Sequence, residues 1–190
     1  MIYLIDNFLN NDLFEKTTHY LNTNSYTEHK TPDKTFWVQE AKQEFINTVL
    51  NTLALKEKCE LENILAFFRV STDTIDAEWR IHSDGIINGQ KPERAIVLYL
   101  SPKRMKELHG TAFWDHKEYG KKQPDNISDE EFDALLLKES GDLAKWNLNT
   151  VLGYEQNRLI SYPADYFHSK YPDKAWEEGR QVFVMFYKTK

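Results

Sequence analysis

The sequence predicts an α+β, mainly β fold in which N-terminal helices support a sandwich or barrel of strands. Two observations lead there. Between Glu40 and Cys59 apolar residues recur at helical period, whereas after Cys59 short runs rich in β-branched and aromatic residues alternate with Gly, Pro, Asn and Asp. Helices precede strands instead of alternating with them, which argues against a βαβ chain. The length of 190 residues suits one domain, large enough to enclose a cavity.

Each element follows from its own pattern. A short apolar stretch, Ile2–Ile5, runs into Asn-rich residues able to cap a helix around Asp12–Leu21. Ala41, Phe45, Ile46, Val49, Leu50 and Leu53 form one stripe of a second, amphipathic helix. Strands are expected over Ile64–Val70, Ala77–Ser83, Arg94–Ser101, Thr111–Asp115, Arg158–Tyr162 and Arg180–Tyr187. Between His116 and Asn157 the pattern breaks, and Ser128 followed by Glu131 is a capping box opening a short helix. The expected organisation is a single domain over 1–190, with helical support in 1–62, a strand core in 63–190 and a partly helical insertion at about 116–157. No repeat or linker divides the chain.

Composition narrows the function. Twenty-four Lys and Arg stand against 30 Asp and Glu, a net charge of −6, which argues against a nucleic-acid partner. The longest apolar runs, Ala95–Leu100 and Val182–Tyr187, fall far short of the ~20 residues of a membrane helix, so no membrane association is expected. MIYLIDNFLNN does not read as a secretory signal, and Cys59 is the one cysteine, so a reducing cytoplasm is the expected compartment. A metal, if bound, has to be held by His and carboxylate.

Two His-x-carboxylate pairs occur, His82-Ser83-Asp84 and His116-Lys117-Glu118, where chance alone supplies on the order of one. WRIHSD reads as a strand end, so His82 and Asp84 point to one side; His82 is then either a ligand or a satisfied core histidine. His116 opens the polar insertion, where a solvated face is the expectation. His168 follows a strand and a Pro-containing turn, as a third ligand facing the first pair across a barrel would. Arg180 opens the last strand on the face of Val182, Val184 and Phe186, where a cation needs an anion unless it snorkels to solvent beside Glu177 and Glu178.

HSD, a distal HS, and GR opening an apolar strand together resemble the iron(II)- and 2-oxoglutarate-dependent dioxygenases, nearest to the prolyl-4-hydroxylase-like branch. RAIVLYLS, HGTAFW and RLISYPADYFHS agree in order, so the resemblance covers Ile64 to Tyr187. It implies a double-stranded β-helix core (a cupin-like jelly roll) and Fe(II) held by His82, Asp84 and His168. It also implies 2-oxoglutarate as cosubstrate, O2 as oxidant and ascorbate as a stimulant. Arg180 becomes the partner of the distal carboxylate of 2-oxoglutarate. Tyr99 is either a second contact to that carboxylate or a half-buried strand aromatic. Thr111 and Trp114 are either pocket or core, and Trp79 is placed near the site entrance. In two places this sequence departs from the family pattern. Val182 replaces a common Ser, and Phe67, Phe68 and Arg69 occupy a strand that often carries a Tyr, so the 1-carboxylate end has no assigned partner.

The implied reaction is hydroxylation of a C–H bond with release of succinate and CO2. By analogy the substrate is a prolyl residue of a peptide or protein. A free small molecule remains open, as does a non-catalytic cupin-like metal-binding module.

Overall fold

The computed structural model describes residues 1–30, 35–72, 74–76, 79–101, 108–124, 127–172 and 179–190. Strand β1 (Tyr3–Ile5) precedes α1 (Asn11–Thr23), β2 (Thr27–Lys30), β3 (Thr35–Glu40) and α2 (Gln43–Glu57). Next come β4 (Leu61–Ser71), β5 (Arg94–Tyr99), β6 (Gly110–His116), α3 (Asp129–Glu139) and a 3-10 turn at Leu143–Lys145. The chain closes with β7 (Trp146–Gly153), β8 (Leu159–Pro163), β9 (His168–Tyr171) and β10 (Arg180–Thr189). These strands make two antiparallel sheets, one of seven strands in the order β1-β8-β5-β10-β4-β3-β2 and one of three in the order β7-β6-β9. This architecture is consistent with the expected jelly-roll core.

Alternation along the strands sorts side chains into layers. Ile96, Leu98, Phe183 and Met185 face outward onto Leu21 of α1 and Phe45, Ile46, Val49 and Leu53 of α2. Removing Leu53, which has no exposed surface, to Ala would cost about 2–5 kcal/mol. Ala95, Val97, Tyr99, Ile160, Tyr162, Val182, Val184 and Phe186 face inward, toward Phe113 and Leu152 of the smaller sheet. A third cluster covers the far side of that sheet, where Ala112, Trp114, Trp146 and Phe167 pack on Phe132 and Leu136 of α3. The functional side chains described below open from the layer between the sheets.

Helix ends follow their local chemistry. Asn10 caps α1 through Leu13 N–H, and the Ser128–Glu131 capping box opens α3 as expected. Between β6 and β7 the backbones approach so closely that a Cβ on Gly110 would collide with the Leu152 carbonyl. Among the described residues, no helix is long and apolar enough to cross a membrane.

Three expectations are corrected. Residues 1–62 are not helical only, because β1, β2 and β3 extend the large sheet. The insertion is shorter than 116–157, because β7 belongs to the small sheet and pairs along β6 from Gly110 to His116. The strand expected over Ala77–Ser83 is absent where it is described; Ala77 and Glu78 lie outside the described residues, and His82 makes only a single antiparallel bridge, to His168. Of the five overlooked strands, β1, β2, β7 and β9 are sheet edges, and β3 lies one strand in from an edge. Edge strands are short and half-solvated, so they lack the apolar signature of a central strand.

Candidate metal centre

His82 and Asp84 come from one segment and His168 from another, and backbone pairing brings the two segments together. The bridge ties His82 N–H to His168 O at 3.0 Å and His168 N–H to His82 O at 2.8 Å. Asp84 N–H donates to Ala164 O at 2.8 Å, which fixes the carboxylate two residues further along. The imidazole centroids are 4.4 Å apart, Asp84 Oδ2 lies 3.7 Å from His168 Nε2, and one ligand atom from each of the three residues falls within 4.8 Å of the others.

The second nitrogen of each ring fixes its orientation. His82 Nδ1 lies 3.2 Å from Arg80 O, and His168 Nδ1 lies 2.9 Å from Tyr166 O. In both cases the carbonyl is two residues upstream, and a carbonyl can only accept, so Nδ1 carries the proton. Nε2 is then the nitrogen each ring can offer to a metal, and that of His168 lies 3.7 Å from Asp84 Oδ2. Two imidazoles and one carboxylate with oriented outer nitrogens form a donor set that suits a 2-His-1-carboxylate ferrous site.

The cluster opens into a cavity of about 710 Å³, also lined by Thr111, Tyr162 and Arg180. Arg180 is 5% exposed, and its guanidinium carbon lies 5.5 Å from the centroid of the Tyr99 ring. Burial pulls the pKa of Arg180 down, and the neighbouring Tyr99 hydroxyl acts in the opposite direction. Gly179, at a φ of +82°, turns the chain into β10, with its carbonyl accepting from Ser101 Oγ at 3.2 Å. Ser101 Oγ also accepts from Gln181 N–H at 2.6 Å, so Arg180 is held between two anchored neighbours. The alternative of Arg180 snorkelling to solvent does not hold, since the guanidinium is in the cavity wall; Glu177 and Glu178 lie outside the described residues.

Tyr99 has no exposed surface, and its hydroxyl is 2.7 Å from Thr111 Oγ1 behind the cavity wall. Burial raises the pKa of both Tyr99 and Tyr162, for Tyr162 well above the usual value with Asp84 adding to the effect, so both remain phenols at neutral pH. Trp114 is core, donating Nε1–H to Ser169 Oγ at 2.9 Å. Trp79 donates to Lys170 O at 2.8 Å and packs edge-on against Trp114.

His116 corrects an expectation. Instead of a solvated face it is 3% exposed, stacked on Tyr119 and edge-on to Trp146, with Nε2 3.0 Å from Glu139 Oε2. Its neighbour on the sequence motif, Glu118, meets the ring through its backbone N–H.

Sequence reasoning assigned no role to Tyr162, Lys170 or Asp76. Asp76, at a φ of +52°, accepts from Arg69 and Ser71 of β4 through its carboxylate and from Lys170 of β9 through its backbone carbonyl, with the carboxylate 3.9 Å from the same ammonium, so one residue ties the two sheets beside the cavity. Tyr162 was legible as a strand residue sharing the inward face with Ile160, but nothing local marks its hydroxyl as special.

No family model and no curated protein matches the chain by sequence. Solved structures do match by shape. HygX from Streptomyces hygroscopicus, with nickel and 2-oxoglutarate bound, superposes with a TM-score of 0.64 at 11% identity, over 100% of this chain and 83% of that one. A Pseudomonas putida prolyl-4-hydroxylase gives 0.58 at 10% identity, over 100% and 92%. A Trichoplax adhaerens prolyl hydroxylase in complex with a hypoxia-inducible-factor peptide fragment gives 0.60 at 11%, over 99% and 83%. The chain has the fold of the 2-oxoglutarate/Fe(II) oxygenases, prolyl hydroxylases among them.

Proposed function

We propose that the protein is an Fe(II)- and 2-oxoglutarate-dependent oxygenase that hydroxylates a C–H bond with O2, releasing succinate and CO2. The observation that carries this reading is the convergence of His82, Asp84 and His168 on a cavity whose wall holds the buried Arg180. A non-catalytic cupin-like module has no need of an arginine buried among Val182, Val184 and Phe186.

Iron, when bound, supplies the one-electron chemistry that couples decarboxylation of the keto acid to oxygen transfer. The chain's residues have other tasks. His82 and His168 present Nε2, with Nδ1 held by carbonyls, and Asp84 completes one face of the coordination sphere. Arg180 meets the distal carboxylate of 2-oxoglutarate through a charge-assisted bond, and Tyr99 buttresses the guanidinium from behind. The apolar wall of Val97, Val184 and Phe186 keeps water from the reacting centre. Asp133, Leu136 and Leu137 of α3 line the same cavity, which makes the insertion a shaper of substrate access.

A prolyl residue of a peptide or protein is the substrate supported by the two prolyl hydroxylases of similar shape. A free small molecule is the second reading, supported by HygX, a structure of which holds hygromycin B. A reducing cytoplasm would suit both ferrous iron and the lone Cys59.

The test is release of succinate from 2-oxoglutarate with Fe(II), O2 and ascorbate, first without substrate and then with peptide and metabolite pools. Succinate should appear and rise with the right pool. Its complete absence across all pools would sink the proposal. Arg180→Ala should raise the 2-oxoglutarate requirement by about 100-fold while iron stays bound.

A further inference from the structure

We propose that Tyr162 holds the chelating, 1-carboxylate end of 2-oxoglutarate, a positioning role that rests on the cosubstrate reading above. Its hydroxyl oxygen lies 3.1 Å from His168 Nε2, the atom offered to the metal. The ring is fixed there by contact with the His168 imidazole at 4.7 Å and by an edge-on contact with Phe113 at 5.2 Å. At 2% exposure the residue is screened from the outer surface and meets solvent only through the cavity.

The His168 Nε2 partner is lost when metal binds. A lone pair given to a metal cannot also accept a hydrogen bond, and a buried hydroxyl left without an acceptor costs roughly as much as a lost hydrogen bond. A new acceptor must therefore lie at the edge of the coordination sphere, where the keto-acid end of the cosubstrate binds. The flanking strands β4 and β10 offer that end little. Val184 and Phe186 of β10 and Leu65 and Phe67 of β4 line the cavity with apolar groups, and Arg69 is engaged by Asp76. Strand β8 thus supplies the hydroxyl that β4 and β10 lack.

Two probes separate the ends of the cosubstrate. 2-Oxoglutarate carries both the chelating end and the distal carboxylate, whereas 2-oxobutyrate keeps the chelating end alone. Binding of each is read anaerobically from the charge-transfer absorption of the Fe(II)-loaded protein, and metal affinity is read separately with Mn(II). Tyr162→Phe should weaken both keto acids about tenfold and leave Mn(II) affinity within twofold, which also reports an intact site. Arg180→Ala should weaken 2-oxoglutarate to the level of 2-oxobutyrate and leave 2-oxobutyrate unchanged. Unchanged keto-acid binding in Tyr162→Phe overturns the proposal. So does a loss of Mn(II) affinity with normal keto-acid binding to the loaded site, since the hydroxyl would then serve Asp84 or His168. If the wild-type protein binds Mn(II) but neither keto acid, the cosubstrate reading fails first and this proposal falls with it.

Discussion

The chain holds two histidines followed two residues later by an acid, and the fold puts them to opposite uses. At His82 the outer nitrogen, Nδ1, is fixed by a backbone carbonyl and Nε2 faces a cavity beside Asp84 and His168. At His116 both nitrogens are engaged. Nδ1 accepts from the N–H groups of Glu118 and Tyr119 at 3.2 and 3.3 Å, and Nε2 donates to Glu139. With Nε2–H given to a carboxylate, the one lone pair of His116, on Nδ1, is already shared by two backbone N–H groups. The difference between a ligand and a fold element lies in what the second nitrogen touches, and the spacing of the acid says nothing about it.

The sharpest way to break this comparison is to truncate each pair and measure metal affinity. Asp84→Ala or His82→Ala removes one of three donors and should weaken Mn(II) binding by more than about 100-fold, abolishing turnover. His116→Leu should leave Mn(II) affinity within twofold. Thermal melts give an independent readout. Added Mn(II) should raise the midpoint of the wild-type protein and of His116→Leu, but not that of Asp84→Ala. A large loss of metal affinity in His116→Leu would erase the distinction drawn between the pairs.

How much of this was legible in the sequence depends on the length scale of each signal. Central strands such as β5 and β10 are buried on both faces, so their composition announced them, and the inward face of Arg180, Val182 and Val184 followed from alternation. The edge strand β7 places Asn147, Leu148 and Asn149 on an exposed rim, and it read as part of a polar insertion for that reason. Among the site residues, His82, Asp84, His168 and Arg180 stood out through ordered motifs. Asp76 did not, since its partners Arg69 and Lys170 come from strands on different sheets and no local spacing encodes that meeting. His116 misled for a related reason. Its true acid, Glu139, is the last residue of α3 and is delivered by tertiary packing, whereas Glu118, two residues on in sequence, meets the ring through its backbone N–H.

His116 should instead matter for stability. Leucine fills much of the volume against Trp146 and Tyr119 but leaves two backbone donors and Glu139 Oε2 without the imidazole. Unfolding in urea should show a loss of about 2–3 kcal/mol, or a midpoint lower by roughly 5–10 °C in a thermal melt. The corresponding loss for Tyr119→Leu, which removes only the stacked ring, should be smaller.

The mildest probe asks whether the His116–Glu139 contact acts as an ion pair or as a hydrogen bond. Glu139→Gln keeps a carbonyl oxygen to accept from Nε2–H and removes the charge. It also leaves the Glu139 backbone carbonyl, which accepts from Trp146 Nε1–H at 2.9 Å, untouched. A neutral imidazole predicts a loss below about 1 kcal/mol in urea unfolding, because one hydrogen bond replaces another. Lys145 lies 3.7 Å from the other carboxylate oxygen at a half-exposed position, so its pairing adds little. A loss from Glu139→Gln as large as that from His116→Leu would mean that charge, and not satisfied hydrogen bonding, holds the insertion to the small sheet. The two histidine sites would then share an electrostatic logic after all.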